Sequence, residues 1–380
     1  MVSSAIRYLR DYIAIPSVNP MGRADVAPEI TGERRYAEHV CAQLARLGVD
    51  ASVIGEGERR SVIARVETPG AIDEVLVASH LDTVPVDGME IAPFDPVLRE
   101  DRLFGRGACD TKGGMAALVA ALEHVLARGT LRRNVTVVGE ADEELGSCGV
   151  QDVLAHLGTN RPDWVLATEP TELRIANQHK GIALARLMAQ GVACHSSNPG
   201  AGRNAITELA HAILACEELH EELSQRPHPA LGPGTLSVNL AEGGQAPNIV
   251  PDRATLRLDR RLLPGETAAD VERELEAALH RREVKHVRVV DCRTEKGPLG
   301  TPAGHASVTA CAAALRSCQL TDEPRSVAFA TDAGVLAEHG IPGVVMGPGS
   351  IQRAHTAREF VEVDQVDAMT RFFIALLEGA

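Results

Sequence analysis

The chain has 380 residues, is 44% hydrophobic, and carries a formal charge of -14 from 52 acidic and 38 basic residues. That length accommodates two domains with a full core, and the acidic balance, without a run of Lys and Arg to follow a phosphate backbone, argues against nucleic acid as a partner. Aromatic residues are only 3% of the chain, which argues against base stacking or an aromatic cage, and eight scattered cysteines without a C-x-x-C pair fit a reduced, cytoplasmic setting.

The opening segment "MVSSAIRYLRDYIAI" has helical apolar spacing at Ile6, Leu9 and Ile13 and charges throughout, unlike a secretory leader. Further helices are predicted over 33–47, closed by Gly48, and over 114–127, closed by Gly129. Glu123 and His124 interrupt the apolar run 115–127, so no membrane span is expected. Strands are predicted at 61–66, 75–79, 135–140 and 164–167, and their alternation with helices reads as an α/β layer around a largely buried sheet.

From about 178 to 292 the rhythm changes. "GIALARLMAQ" reads as a strand, "NAITELAHAILACEEL" as a long amphipathic helix, and "TLSVNL" and "ATLRLDRRL" as alternating strands. "TAADVERELEAAL" and "VRVVDC" add a helix and a strand. This β-α-β-β-α-β order is that of a ferredoxin-like α+β unit, inserted into an α/β domain that resumes after Pro298. Beyond it come helices over 305–317, after Asp332 and after Asp364, and the strand "GVVMG". The expected division is 1–177 with 296–380 as one domain and 178–295 as the other.

Five segments carry candidate chemistry. In "VLVASHLDTVPVDG", His80 and Asp82 are two apart at a strand end and share a face, an arrangement that holds an imidazole for metal or acid-base work. In "LFGRGACDTKGGMAAL", Asp110 lies in a Gly-rich turn that fits neither dinucleotide nor P-loop spacing; it caps a helix or binds a cation. "TVVGEADEELGSCG" runs a strand out into Asp142, Glu143 and Glu144, where one glutamate can bind metal while its neighbour takes a proton from water. "WVLATEPT" ends a strand in Glu169, and "VMGPGSIQRAHTAREF" ends another before His355. All five lie where open α/β sheets build their sites, and two histidines with three carboxylates suit two zinc ions sharing one carboxylate.

The segments "SHLDTVPV", "GRGACDTKGGMAA", "ADEELGS", "ATEPT", "CHSSNPGAGRNAI" and "GPGSIQRAHTAREF" resemble, in order, those of the dinuclear zinc amidohydrolases that comprise acetylornithine deacetylase, succinyl-diaminopimelate desuccinylase and glutamate carboxypeptidase. The ending "GPGSIxxAH" is closest to the acetylornithine deacetylase branch. The resemblance implies that His80 and Glu169 hold one zinc, Glu144 and His355 the other, and that Asp110 bridges them. It implies Asp82 as the residue orienting His80, Glu143 as the general base, and a cis peptide between Asp110 and Thr111. The inserted unit resembles a lid that dimerises, with His195 stabilising the oxyanion and Asn248 and Arg261 binding the substrate carboxylate; Arg260 is the local rival of Arg261. Cobalt or manganese could substitute for zinc. Two departures are Cys194, where many members have glycine, and "FATDAG", which lacks a Gly-Gly before Thr331. The implied activity is deacylation of an N-acyl-L-amino acid, with dipeptide, glutamate-carboxypeptidase-like or desuccinylase substrates as alternatives.

Overall fold

The computed structural model describes residues 3–380; Met1 and Val2, where the opening segment and the first expected domain begin, lie outside the described residues. The chain divides into two compact units. One comprises the described residues up to Asn177 with Thr301–Arg325 and Thr331–Ala380, and the other Gln178–Gly300 with Ser326–Ala330. A junction at 295 falls inside the strand Val287–Lys296, and the second unit continues to Gly300 because Leu299–Gly300 pairs antiparallel with Gln178 and His179. It also gains 326–330, where the Ser326 hydroxyl donates to the Ala230 carbonyl at 2.7 Å.

The first unit is built on a mainly parallel sheet. Asn134–Glu140, Glu74–His80, Trp164–Ala167 and Gly343–Val345 lie side by side and parallel, and Arg59–Val66 and Ala51–Glu56 extend one side antiparallel. The parallel strands read as continuous apolar runs, such as Val75, Leu76, Val77 and Ala78, because helices cover both faces. Ser4–Ile13 starts at Ser3, whose hydroxyl accepts from the Ile6 N–H, and buries Ile6, Leu9 and Ile13 in the same core as Gly113–Arg128 and Val363–Leu377. Each such side chain contributes roughly 1.5–3 kcal/mol by leaving water. Gly113–Arg128 is buried along most of its length, and Gly129 ends it in a left-handed turn (φ +64°). Gly114 lets this helix approach the 168 loop: a Cβ there would lie 2.4 Å from the Thr168 Cβ.

The parallel strands share an orientation, so His80, the segment after Glu140, the segment after Ala167 and the loop after Val345 emerge at one edge. Elements not expected from the sequence include the edge strand Ala51–Glu56, the helix Cys148–Leu157, and a small sheet of Val97–Arg99, Arg102–Phe104 and Phe360–Glu362.

The second unit has one antiparallel sheet, ordered Thr235–Gly243, Arg253–Leu262, Gly181–Gln190 and Val287–Lys296. Alternate residues Ala183, Ala185, Leu187 and Ala189 point into a second core, where they meet the apolar stripes of Ala205–Ser224 and Ala268–Arg281. Asn204 caps the first helix, and a Thr267–Asp270 capping box starts the second. A short ribbon pairs Cys194–His195 with Ile249–Val250.

Candidate metal centre

At the C-terminal edge of the parallel strands, two groups of ligand-type side chains share one residue. His80, Asp110 and Glu169 form one group and Asp110, Glu144 and His355 the other; within each, the ligand atoms lie within 4.8 Å of one another. Asp110 divides its two oxygens between them: Oδ1 is 2.9 Å from His80 Nε2, and Oδ2 is 3.1 Å from His355 Nε2. His355 Nε2 is also 3.1 Å from Glu144 Oε1, and His80 Nε2 is 3.9 Å from Glu169 Oε1. The Asp110–Thr111 peptide is cis. Gly107, at φ +80°, turns the chain into this segment where a Cβ would meet Thr83 and Lys112.

Asp82 is fully buried and fastens two strand ends together. Its Oδ1 accepts from the Glu143 N–H and its Oδ2 from the Glu144 N–H, each at 3.1 Å, while Asn19 Nδ2 donates to Oδ2 at 2.9 Å. His80 Nδ1 lies 3.0 Å from the Asp82 carbonyl oxygen and 3.4 Å from Oδ1, so the backbone as well as the carboxylate fixes the ring. Glu143, next in the chain to the candidate ligand Glu144, is buried but belongs to neither ligand group.

The electrostatics follow from packing carboxylates around two imidazoles. Hydrogen bonds to Asp110 and Glu144 push His355 up to about 10. Burial works against a charged His80, but its bonds to Asp110 and Asp82 prevail and raise it well above the usual histidine value. Burial also opposes ionisation of Asp110, yet the two histidines hold it below the usual carboxylate range, whereas burial pushes Glu144 up to about 7. Each histidine proton thus stands where a cation would be attracted. Two imidazole nitrogens and three carboxylates, one shared, fit two divalent ions.

Several residues of this region were not singled out from the sequence. Arg59 pairs with Asp142 at 2.5 Å and with Glu33 at 3.2 Å behind the Glu143 loop, and Lys112 Nζ donates to the carbonyls of Tyr12 and Ile15. Arg106 and Glu359 form a buried pair at 2.6 Å beside the Asp110 segment. "GRGACD" and "HTAREF" contain the signal for that pair, one charge of each sign next to a candidate ligand, but nothing in the spacing shows that they meet.

The remaining candidates lie in the second unit. The exposed His195 sits on the short ribbon with Nδ1 2.8 Å from the Ser197 hydroxyl, and the Asn248 carbonyl accepts from the Ser196 N–H at 3.1 Å, so His195 and Asn248 are neighbours. Arg260 and Arg261 point to opposite faces of their strand. Arg260 is 1% exposed with Nη2 2.9 Å from Glu266 Oε1, whereas the Arg261 side chain is 37% exposed with Nε 2.9 Å from Asp259 Oδ1. Only Arg261 remains accessible to a ligand.

Residues 76–379 match the Peptidase family M20/M25/M40. The chain is 31% identical over 325 residues to acetylornithine deacetylase of Myxococcus xanthus, covering 82% of this chain and 78% of that protein. It is 27% identical to succinyl-diaminopimelate desuccinylase of Marinobacter nauticus, with 93% and 95% covered. Among solved structures, the M20 family metallo-carboxypeptidase Sso-CP2 from Sulfolobus solfataricus superposes with a TM-score of 0.78 at 22% identity, over 100% of this chain and 99% of that one.

Proposed function

This chain belongs to the Peptidase family M20/M25/M40 and is a metal-dependent hydrolase, and from that premise we propose that it cleaves the amide bond of N-acyl-L-amino acids, N-acetylornithine first among them. The observation that carries the reading is Asp110 shared between two ligand groups, with the buried Glu143 next in the chain to Glu144 and outside both. Relatives named for deacetylation of acetylornithine support the choice of substrate, and a relative named for desuccinylation supports N-succinyl-diaminopimelate as the second choice.

His80, Asp110 and Glu169 would hold one ion and Asp110, Glu144 and His355 the other, with zinc the expected metal and cobalt or manganese as substitutes. Bound there, the two ions supply water of lowered pKa and positive charge for the amide oxygen. Glu143 takes the proton of the attacking water and returns it to the departing amine. Asp82 keeps the His80 ring in one orientation and ties the Glu143–Glu144 backbone to the same strand end. His195 donates to the oxygen that gains negative charge, and Arg261 with Asn248 binds the substrate carboxylate. The second unit serves as lid and as the contact surface of a homodimer.

The test is hydrolysis by zinc-loaded protein of N-acetylornithine, N-acetylcitrulline, N-succinyl-diaminopimelate and a set of dipeptides, beside Glu143→Gln. Rapid cleavage of an N-acetyl amino acid, lost in the variant and on chelation, is the expected result. Cleavage confined to dipeptides would overturn the deacylase reading in favour of a peptidase, and cleavage confined to the succinyl compound would replace the acyl group.

A further inference from the structure

Glu359 is four residues beyond His355 and 0% exposed. Its Oε1 accepts from the backbone N–H of Cys109 at 3.0 Å and of Asp110 at 3.1 Å. Its Oε2 accepts from the Gly107 N–H at 3.1 Å and from Arg106 Nη1 at 2.6 Å. All four donors belong to the segment 106–110, which ends in the shared carboxylate. The Glu359 carbonyl also accepts from the Gly105 N–H at 3.2 Å, and Arg106 Nη2 donates to the Pro85 carbonyl at 3.2 Å.

The segment needs an outside acceptor because of its backbone. Gly107 is left-handed, and Asp110 and Thr111 have φ/ψ of -123°/91° and -129°/22°, so the chain is not helical there. Buried N–H groups in such a segment must be satisfied from elsewhere, and one ionised carboxylate can accept all of these bonds at once. A glutamine would turn an amide N–H₂ toward donors that need an acceptor. Neither Glu359 nor Arg106 belongs to the two ligand groups among the described residues; both act on the backbone that carries Asp110.

We propose that Glu359, clamped by Arg106, is a positioning residue that fixes the backbone of 107–110 so that the Asp110 carboxylate reaches both ligand groups, and that it thereby sets the affinity for the pair of ions. This rests on the reading of Asp110 as the shared ligand. Loss of the clamp lets the Asp110 carboxylate rotate toward one histidine, so that binding of the two ions becomes unequal.

The experiment titrates cobalt(II) into metal-free, full-length protein, read by calorimetry and by the visible absorption of the bound ion, for the unmodified chain, Glu359→Gln, Glu359→Asp and Asp110→Asn. Circular dichroism and thermal unfolding are recorded for each. The unmodified chain should take up two ions. Glu359→Gln should remain folded, bind at least one ion about 10–100-fold more weakly, and show an altered cobalt spectrum. Glu359→Asp, which keeps the charge with a shorter reach, should shift affinity in the same direction by less. A residue that only supports the fold would lower the melting temperature and leave affinities and spectrum unchanged; that result in Glu359→Gln, or in Glu359→Asp if the glutamine variant does not fold, would overturn the inference. If the unmodified chain fails to bind two ions, or Asp110→Asn still binds both normally, the shared-ligand reading itself fails.

Discussion

Acid should weaken the folded chain through His179, which belongs to neither ligand group among the described residues. The side chain is 0% exposed on the strand Ala176–His179, with Nδ1 2.9 Å from the Lys180 carbonyl. Burial pushes its pKa down from 6.5 to about 4, the carbonyl contact opposes that, and Lys296 adds to it. The unfolded chain therefore takes a proton at His179 in a range where the folded chain refuses it. The stability this provides is fully present above pH 6.5 and is lost as the pH falls through 4. At about 1.4 kcal/mol for each tenfold difference in proton affinity, the gap amounts to about 3 kcal/mol. The assay is urea unfolding of chelator-treated protein between pH 7 and 4, comparing the unmodified chain with His179→Asn, whose amide can still donate to the Lys180 carbonyl. The titrations of the other groups are common to both proteins and cancel. The unmodified chain should lose about 3 kcal/mol more than the variant over that range; parallel profiles would refute the claim that His179 is held neutral by burial.

Other perturbations separate the roles of neighbouring residues. Glu143→Gln should lower turnover about 10²–10⁴-fold while the metal content, measured by atomic emission, stays unchanged, since Glu143 lies outside both ligand groups. Arg261→Met should lower kcat/KM roughly 10–100-fold, mainly through KM, by removing a charged partner worth about 1.5–3 kcal/mol to a carboxylate. Arg260→Met should leave KM alone and instead cost about 3 kcal/mol of stability in denaturant unfolding, because Glu266 loses its buried partner. Gly114→Ala should destabilise by about 2 kcal/mol or more, since the new Cβ would lie 2.4 Å from the Thr168 side chain; an unchanged melting temperature would show that the helix can move away.

All the candidate ligands except Asp110, which sits in a Gly-rich turn, were legible because each follows a strand whose apolar run is easy to see. His80 ends "VLVASH", Glu169 follows "WVLA", and His355 follows the loop after "GVVMG". Their separation in sequence is large, but the parallel sheet brings those ends to one edge. The sharing of Asp110 was not legible from spacing, since it depends on two oxygens being aimed in different directions. Nor was the grip of Glu359 on 107–110, because "HTAREF" reads equally well as a solvated turn. Alternation along "LDRRLL" establishes that Arg260 and Arg261 face opposite ways, and only the packing of Glu266 shows which one is buried. The helix Cys148–Leu157 went unseen because its stripe is short, with Val150, Val153 and Leu154 as its buried large side chains. The edge strand Ala51–Glu56 is half-exposed along most of its length, so it lacks the continuous apolar run that marked its neighbours.

The most direct test returns zinc stepwise to chelator-stripped protein and follows N-acetylornithine hydrolysis at each step. The account predicts no hydrolysis by the stripped protein and a rate that levels off at two zinc ions per chain, with Glu143→Gln inactive at every step. Full activity at one ion, or hydrolysis by the stripped protein, would contradict a centre built on a shared Asp110.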